Sequence, residues 1–272
     1  MEQKLSIDLG EVQKTLLLPL WGRAHETAKR HPLLVDRVAA GIVEKLDYDF
    51  AALASRMSPL TQTAWIMRSM CVDSVIRALL ESDPEATIVN VGCGLDTTFE
   101  RVDNGMLSWY DVDLPDVISL RRRLVHSPAR RKMIASSFLK EAWLDKIVVY
   151  GHVLFIAEGI LYYFSEDEVK AFLKRLADRF PGSEIVFDVA SPVGVRIANR
   201  RVIESSGLDE ASHLIWGLRK TSDLLSWDPR FELLETLYYF RNHPIGFRLR
   251  LAGALSNLLR IQYMVHLKLG QG

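Results

Sequence analysis

Hydrophobic positions in the first 80 residues recur at helical spacing. Val35, Val38, Ala39, Ile42, Val43 and Leu46 share one face, which predicts a helix over 35–46. Pro32 stands just before it, where a missing N–H costs least. A second helix is predicted over 61–80, stopped by Ser-Asp-Pro-Glu-Ala at 82–86. The pattern then changes to short β-branched and apolar runs. Strands are predicted at 87–92, 106–113, 130–137 and within 148–159, the last almost entirely apolar at 153–157. An uninterrupted apolar strand suits a sheet covered on both faces. A helix is expected at 117–125 and a stronger one at 165–180. In the latter, Ser165 and Glu168 have capping-box spacing, and Val169, Phe172, Leu173 and Leu176 form one face. Pro181 and Gly182 stop that helix before a fifth strand at 184–191.

Strands alternating with helices predict a mostly parallel sheet with right-handed crossovers. The segment 192–225 is less regular and reads as a helical insertion on the substrate side. Final strands are expected at 231–240 and 261–269, with a helical piece at 246–259 between them. The whole chain, 1–272, reads as a single α/β domain: a helical cover (1–80), a core (86–190), the insertion (192–225) and the closing strands (230–270).

Composition narrows the partners. Hydrophobic residues make up 49% of the 272 and charged residues 25%, and 34 basic side chains balance 34 acidic ones. A general nucleic-acid binder would show a basic excess. Two cysteines, Cys71 and Cys93, imply no disulfide scaffold and fit a reducing cytoplasm. The N-terminal stretch lacks the features of a signal peptide. The most apolar region, 147–164, contains His152 and Glu158 and is too short for a clean membrane span. A cytoplasmic enzyme with a small-molecule partner and no membrane is the expectation; nothing in the sequence sets an oligomeric state.

The segment VNVGCGLDTTFERV at 89–102 carries the most chemistry. A strand delivers Gly92, Cys93 and Gly94 at its carboxyl end, where open α/β sheets bind ligands. A dinucleotide fingerprint would put a third small residue where Thr97 stands, next to Asp96. A carboxylate there repels a pyrophosphate but accepts from an ammonium or hydroxyl. Asp113 ends the second strand, where an acid can accept both hydroxyls of a ribose. Asp111 lies two residues back, and Asp113 is the choice for that role. Glu158 ends the fourth strand after an apolar run, an expensive position unless the carboxylate is paired or faces a ligand. No zinc motif, EF-hand loop or G-x-S-x-G occurs, so no metal is expected. Of seven histidines, His25 and His213 are the two considered for a place near a substrate. Arg196, Arg200 and Arg201 are weighed as an acid-attracting cluster or a solvated helix face, and Trp216 and Trp227 as pocket walls or core.

VNVGCGLDTTF, WYDVDLPDVISLRRR and FIAEGILYYF resemble the signature stretches of one family, the leucine carboxyl methyltransferases and tetracenomycin polyketide O-methyltransferases. LWGRAHETAKRHPLLVD, IASSFLKEAWLDKI and FDVASP extend the likeness over roughly 15–270, closer to the bacterial small-molecule branch than to the protein phosphatase enzyme. The resemblance implies a class I methyltransferase (Rossmann-like) fold, a seven-stranded sheet with its last strand antiparallel, and S-adenosylmethionine as cofactor. It implies that Gly92, Cys93 and Gly94 line the cofactor and that Asp113 holds its ribose; Asp96, from its own chemistry, is counted with them as cofactor-binding. Glu158 would lie near its amino-acid or sulfonium portion, Arg68 would grip its carboxylate, and Ser137 and Phe138 would meet its adenine side. The N-terminal stretch would cover the site, with Trp21 and Arg23 near the substrate. Tyr162 is a further candidate at the acceptor. The expected reaction is O-methylation of a carboxylate or an acidic phenol. An inactive binding protein, or a protein C-terminal carboxyl methyltransferase, are the alternatives.

Overall fold

The computed structural model describes residues 4–7, 9–55, 57–204, 210–241 and 246–270. Seven strands form the central sheet: β3 (Thr87–Val91), β4 (Ser108–Asp113), β5 (Arg131–Ala135), β6 (Val153–Ala157), β7 (Ser183–Val189), β8 (Phe231–Leu237) and β9 (Tyr263–Leu269). Their order is β5-β4-β3-β6-β7-β9-β8, and β9 runs antiparallel to both its neighbours. The predicted α/β class, strand count and antiparallel last strand are therefore all present. A two-residue parallel pair, β1 (Leu5–Ser6) with β2 (Leu46–Asp47), ties down the N-terminal region.

Strand β3 is buried throughout because its two faces meet different cores. Val89 and Val91 join a cluster with Phe155, Phe172 and Leu173. Ile88 faces the opposite cluster, with Ile66, Met67, Ile76 and Trp109. The second cluster is built largely on α5 (Pro59–Ser82), capped by the Ser58 hydroxyl. The first is built on α8 (Glu166–Arg179), whose Ser165/Glu168 capping box is formed as expected.

The cover comprises α1 (Glu11–Lys14), α2 (Leu17–Thr27), α3 (Arg37–Lys45), α4 (Phe50–Ser55) and the start of α5. The helix predicted from Val35 starts two residues later, because the Asp36 carboxylate accepts from Ala39 N at 2.8 Å and caps it. Strand β6 occupies the apolar run 153–157 expected within 148–159, and Val148, Val149 and Tyr150 before it are exposed. Helices α6 (Thr98–Val102) and α7 (Pro115–Arg122) follow β3 and β4. The insertion contains α9 (Pro192–Ala198), a wide turn at 199–203 and short helical pieces at 210–212 and 221–226; residues 205–209 lie outside the described residues. Helix α10 (Phe247–Leu258) separates the last two strands.

The chain leaves β3 toward β4 and β5, then returns to place β6 on the other side of β3. That reversal opens a crevice at the carboxyl ends of β3, β4 and β6, where a ligand is expected in such sheets.

Candidate active site

The crevice is a cavity of about 450 Å³, within the range of small-molecule sites. Gly92 and Gly94 bring the backbone to its wall with φ of +66° and +47°. A Cβ on Gly92 would sit 2.1 Å from the Ile160 side chain, so only glycine fits. The turn is held from both sides. Gly92 N donates to Val112 O at 2.8 Å, and Gly94 N donates to Asp113 Oδ2 at 2.7 Å. The other oxygen of Asp113 accepts from Leu114 N at 2.7 Å. Burial pushes the Asp113 carboxyl up to about 6, despite these two N–H donors and Arg121.

Asp111 and Asp113, two residues apart, would share a face by strand alternation, and their positions in β4 separate them: Asp111 lies within the strand and Asp113 ends it. Asp113 lines the cavity. Asp111 is fully buried and holds Arg131 Nε at 2.7 Å, Arg121 Nη2 at 3.1 Å and Trp109 Nε1 at 2.9 Å. Arg121 Nη1 in turn donates to Gly94 O at 3.0 Å. The ion pairs behind the strand thus brace the glycine turn. Asp96 also reaches the wall, but its oxygens accept from Asn90 Nδ2 at 2.9 Å and from the Thr98 hydroxyl at 2.9 Å. Burial opposes its charge, yet Arg101, Arg23 and Arg121 keep its pKa down at about 2.

Across the cavity, Glu158 Oε1 accepts from Arg68 Nε at 2.8 Å, while Oε2 is buried without a partner. Arg68 Nη1 reaches Asp188 Oδ2 at 3.1 Å, and Asp188 Oδ1 accepts from Gly159 N at 2.7 Å. Burial raises the Glu158 pKa, opposed by Arg68. Burial also opposes the Arg68 charge, but Glu158 and Asp188 outweigh it. Thr61, Trp65 and Arg68 reach the cavity from one face of α5, at i, i+4 and i+7. Ser137 and Phe138 complete this part of the wall, the ring of Phe138 lying edge-on to Phe164 and Phe172 at 4.7 and 4.9 Å.

Cys93 lines the cavity as well. Burial raises its thiol well above the ordinary value, and no histidine is among the described residues of the wall, so a thiolate nucleophile is not formed here.

The remaining wall is mainly apolar. Leu16, Leu18 and Pro19 from the cover meet Val202, Ile203 and Leu214 from the insertion. Tyr162 packs against Ala198, Ile203 and Leu214, and the Tyr163 ring lies edge-on to it at 5.1 Å. Arg23 reaches this cavity too, but its Nε is paired with Asp36 Oδ2 at 3.0 Å and its Nη2 with Leu95 O at 3.0 Å. Asp36 Oδ2 also accepts from Arg101 Nη1 at 2.9 Å and from the Thr97 hydroxyl. Arg101 completes a bidentate pair with Asp73. The cover is thereby tied to the glycine turn through buried charge.

Several sequence expectations lie elsewhere. Trp21 packs with Leu18, Leu53, Met57 and Trp65 in the cover, outside the cavity wall. His25 is exposed and stacked on Trp21, with ring centres 5.0 Å apart. His213 sits beside Glu204, its Nε2 3.8 Å from Oε1, and is not part of the wall. Arg196, Arg200 and Arg201 are exposed and away from the wall; Trp216 and Trp227 belong to the core under α8. Sequence reasoning missed Asp36, Arg101, Arg121 and Asp188. For Asp188 a signal was present: an acid inside the apolar run of 185–189.

The fold is shared with solved structures of low sequence identity. A DUF574 family protein from Streptomyces avermitilis matches with a TM-score of 0.58 at 13% identity, over 93% of this chain and 96% of that one. The plantazolicin methyltransferase BpumL, solved with S-adenosylhomocysteine, matches with a TM-score of 0.50 at 13% identity, over 96% of this chain and all of the other. In sequence, the tetracenomycin polyketide synthesis O-methyltransferase TcmP of Streptomyces glaucescens is 29% identical over 85% of this chain and 84% of its own length. The S-adenosyl-L-methionine-dependent methyltransferase dpfgK of Gibberella zeae is 26% identical over 92% of each. Residues 17–177, from the covering helix α2 through β3, β4, β6 and most of α8, match the leucine carboxyl methyltransferase family, and the chain belongs to that family.

Proposed function

We propose that this protein is a cytoplasmic S-adenosylmethionine-dependent O-methyltransferase acting on a carboxylate or acidic phenol of a small organic molecule. One observation carries the reading: a single cavity is bounded by Gly92, Asp113, Glu158 and Arg68 on one part of its wall and by an apolar surface on another. The names of the curated relatives support the reaction class.

The residues fit the cofactor. Gly92 and Gly94 bring bare backbone to the cavity wall, and the partnerless Glu158 Oε2 is suited to an ammonium group. Asp113 would accept from the ribose hydroxyls, Arg68 would meet the carboxylate, and Ser137 and Phe138 the adenine side. When bound, the cofactor supplies a methyl group on a positively charged sulfur. The protein's part is to align the acceptor oxygen and exclude water. Leu16, Leu18 and Pro19 on the cover suit that task.

Between the two acceptors, the geometry favours a carboxylate. It is ionised at neutral pH and needs no base. Burial keeps the Tyr162 hydroxyl protonated, so it can donate to a carboxylate. A phenol would call on His25 or His213, and both lie outside the wall. The test is mass spectrometry of an extract incubated with the protein and methyl-labelled cofactor. A methyl ester, with kcat/KM flat between about pH 6.5 and 8.5, supports the carboxylate. A methyl ether with a rising profile would shift the assignment to the phenol, and methylation on nitrogen, carbon or a nucleic-acid base would refute O-transfer.

A further inference from the structure

Helix α10 presents its apolar residues to solvent. Phe247, Leu251, Leu255 and Leu258 are 75%, 58%, 55% and 78% exposed. Their spacing of four, four and three places them on one face. The opposite face is the packed one: Gly253 lies against Phe240, where a Cβ would come within 2.5 Å of the ring, and Ser256 is buried. The apolar ridge runs the length of a 12-residue helix, about 18 Å. An exposed apolar stripe of this kind marks an interaction surface.

The charges around the ridge say what it would meet. Arg250 is exposed on the same helix. Arg241, also exposed, lies before it and reaches over the Tyr238 ring. Arg260 follows it at φ +50°, a backbone position that glycine ordinarily takes. No aspartate or glutamate occurs after Glu235. A second copy meeting this face about a two-fold axis would bring arginine toward arginine, with no acid on the helix to pair with either. An anionic lipid surface complements both features at once: head groups take the arginines, and the acyl boundary takes the ridge.

We propose that α10 is an interfacial helix that docks the protein on the surface of an anionic phospholipid bilayer. This is contact with one leaflet; among the described residues no helix is long and apolar enough to cross a membrane. Docking there has a consequence for the site. The chain passes directly from the end of α10 to Gln262 in the cavity wall. Helix α9 is packed on that connection: Gly194 abuts Ile261 O, and the Ser191 hydroxyl donates to Leu259 O at 3.0 Å. Ala198, at the end of α9, lines the cavity. A membrane-held α10 would thus set the apolar part of the cavity close to the lipid surface.

The experiment is co-sedimentation of the full chain with sucrose-loaded vesicles. One set contains phosphatidylcholine alone and the other phosphatidylcholine with phosphatidylglycerol. Binding is expected to the anionic vesicles and to weaken as salt is added. The double variant Leu251→Asp, Leu255→Asp should lower the partition coefficient at least about tenfold, and Arg250→Glu about fivefold. All three side chains are solvent-exposed, so urea midpoints should stay near that of the parent protein and would separate lost docking from lost folding. Absence of binding to either vesicle, or binding that the double variant leaves intact, would overturn the proposal. So would a dimer in sedimentation velocity that the double variant dissociates, since a second copy would then cover the ridge.

Discussion

Asp36 is the residue through which the cover is fastened to the cofactor turn, and its replacement should show how much that fastening contributes. Its carboxylate is buried and takes four donors: Ala39 N on Oδ1, and Arg23 Nε, Arg101 Nη1 and the Thr97 hydroxyl on Oδ2. A buried ion pair adds little net stability compared with a well-packed apolar pair. Removing one member is different, because it strands the other charge. Arg23 is 2% exposed and would keep only Leu95 O among its hydrogen-bond acceptors. Arg101 suffers less, since Asp73 still holds it in a bidentate pair. Loss of the pair should therefore cost about 3–5 kcal/mol, and loss of the α3 cap about 1 kcal/mol more. Asp36→Ala should lose both contributions, while Asp36→Asn retains an oxygen for the cap and should be less damaging. Urea unfolding followed by tryptophan fluorescence measures the difference, with the Asn variant as the usable one if Ala exhausts the total stability. A cycle with Arg23→Met should show strong coupling, because the second change removes the stranded cation. Additive effects in that cycle, or a loss below about 1 kcal/mol for Asp36→Ala, would refute the role assigned to this carboxylate.

The same residue shows why parts of the site were hidden in the sequence. The sheet was legible because burial on both faces leaves a compositional mark: β6 is an apolar run, β3 is rich in β-branched residues, and α8 carries both its face and its capping box. The ligand-facing groups were legible for a related reason. Gly92, Gly94, Asp113 and Glu158 sit where a strand ends, and strand ends can be located from the pattern. The ion pairs behind them cannot. Asp36 and Arg101 are 65 residues apart, and Arg68 and Asp188 are 120 apart. Nothing local distinguishes a buried arginine from a solvated one. That is why Arg23 reads equally well as a substrate ligand, and why Arg196, Arg200 and Arg201, which are solvated, look attractive in sequence.

Gly92→Ala should destabilise the protein by about 2–4 kcal/mol, from left-handed backbone strain and the clash with Ile160, and abolish cofactor binding. A second change, Ile160→Ala, should relieve only the clash; normal calorimetric binding by Gly92→Ala alone would contradict the assignment. Asp113→Asn should weaken cofactor binding by about 1–3 kcal/mol while keeping an acceptor for one of the two backbone N–H groups. Because the carboxyl titrates at about 6, parental affinity should fall from pH 7 to 5 as it takes up a proton, and the Asn variant should lose that dependence. The last prediction concerns a cluster far from the cavity. Glu184 on β7 receives His266 Nε2 at 2.6 Å and lies 3.2 Å from His152 Nε2, with Asp83 and Lys268 as the other charges acting on His152. The Glu184 carboxylate beside it raises the His152 pKa above its ordinary value, against the opposing effect of partial burial. Protonated His152 is thus favoured by folding, and its contribution is complete below the unfolded histidine pKa of about 6.5 and lost as pH rises through the higher folded value. Glu184 is shifted the other way, down to about 2, by the neighbouring His152 and by His266, which is hydrogen-bonded to it. Its contribution is present above the unfolded glutamate pKa of about 4.3 and is lost as pH falls toward 2. Both contributions coexist only between those limits, so the urea midpoint should decline from pH 6 to 8. Partial exposure of His152 limits its share to about 1 kcal/mol or less. In His152→Gln the decline should be reduced; an unchanged slope in that variant would show that His152 does not set it.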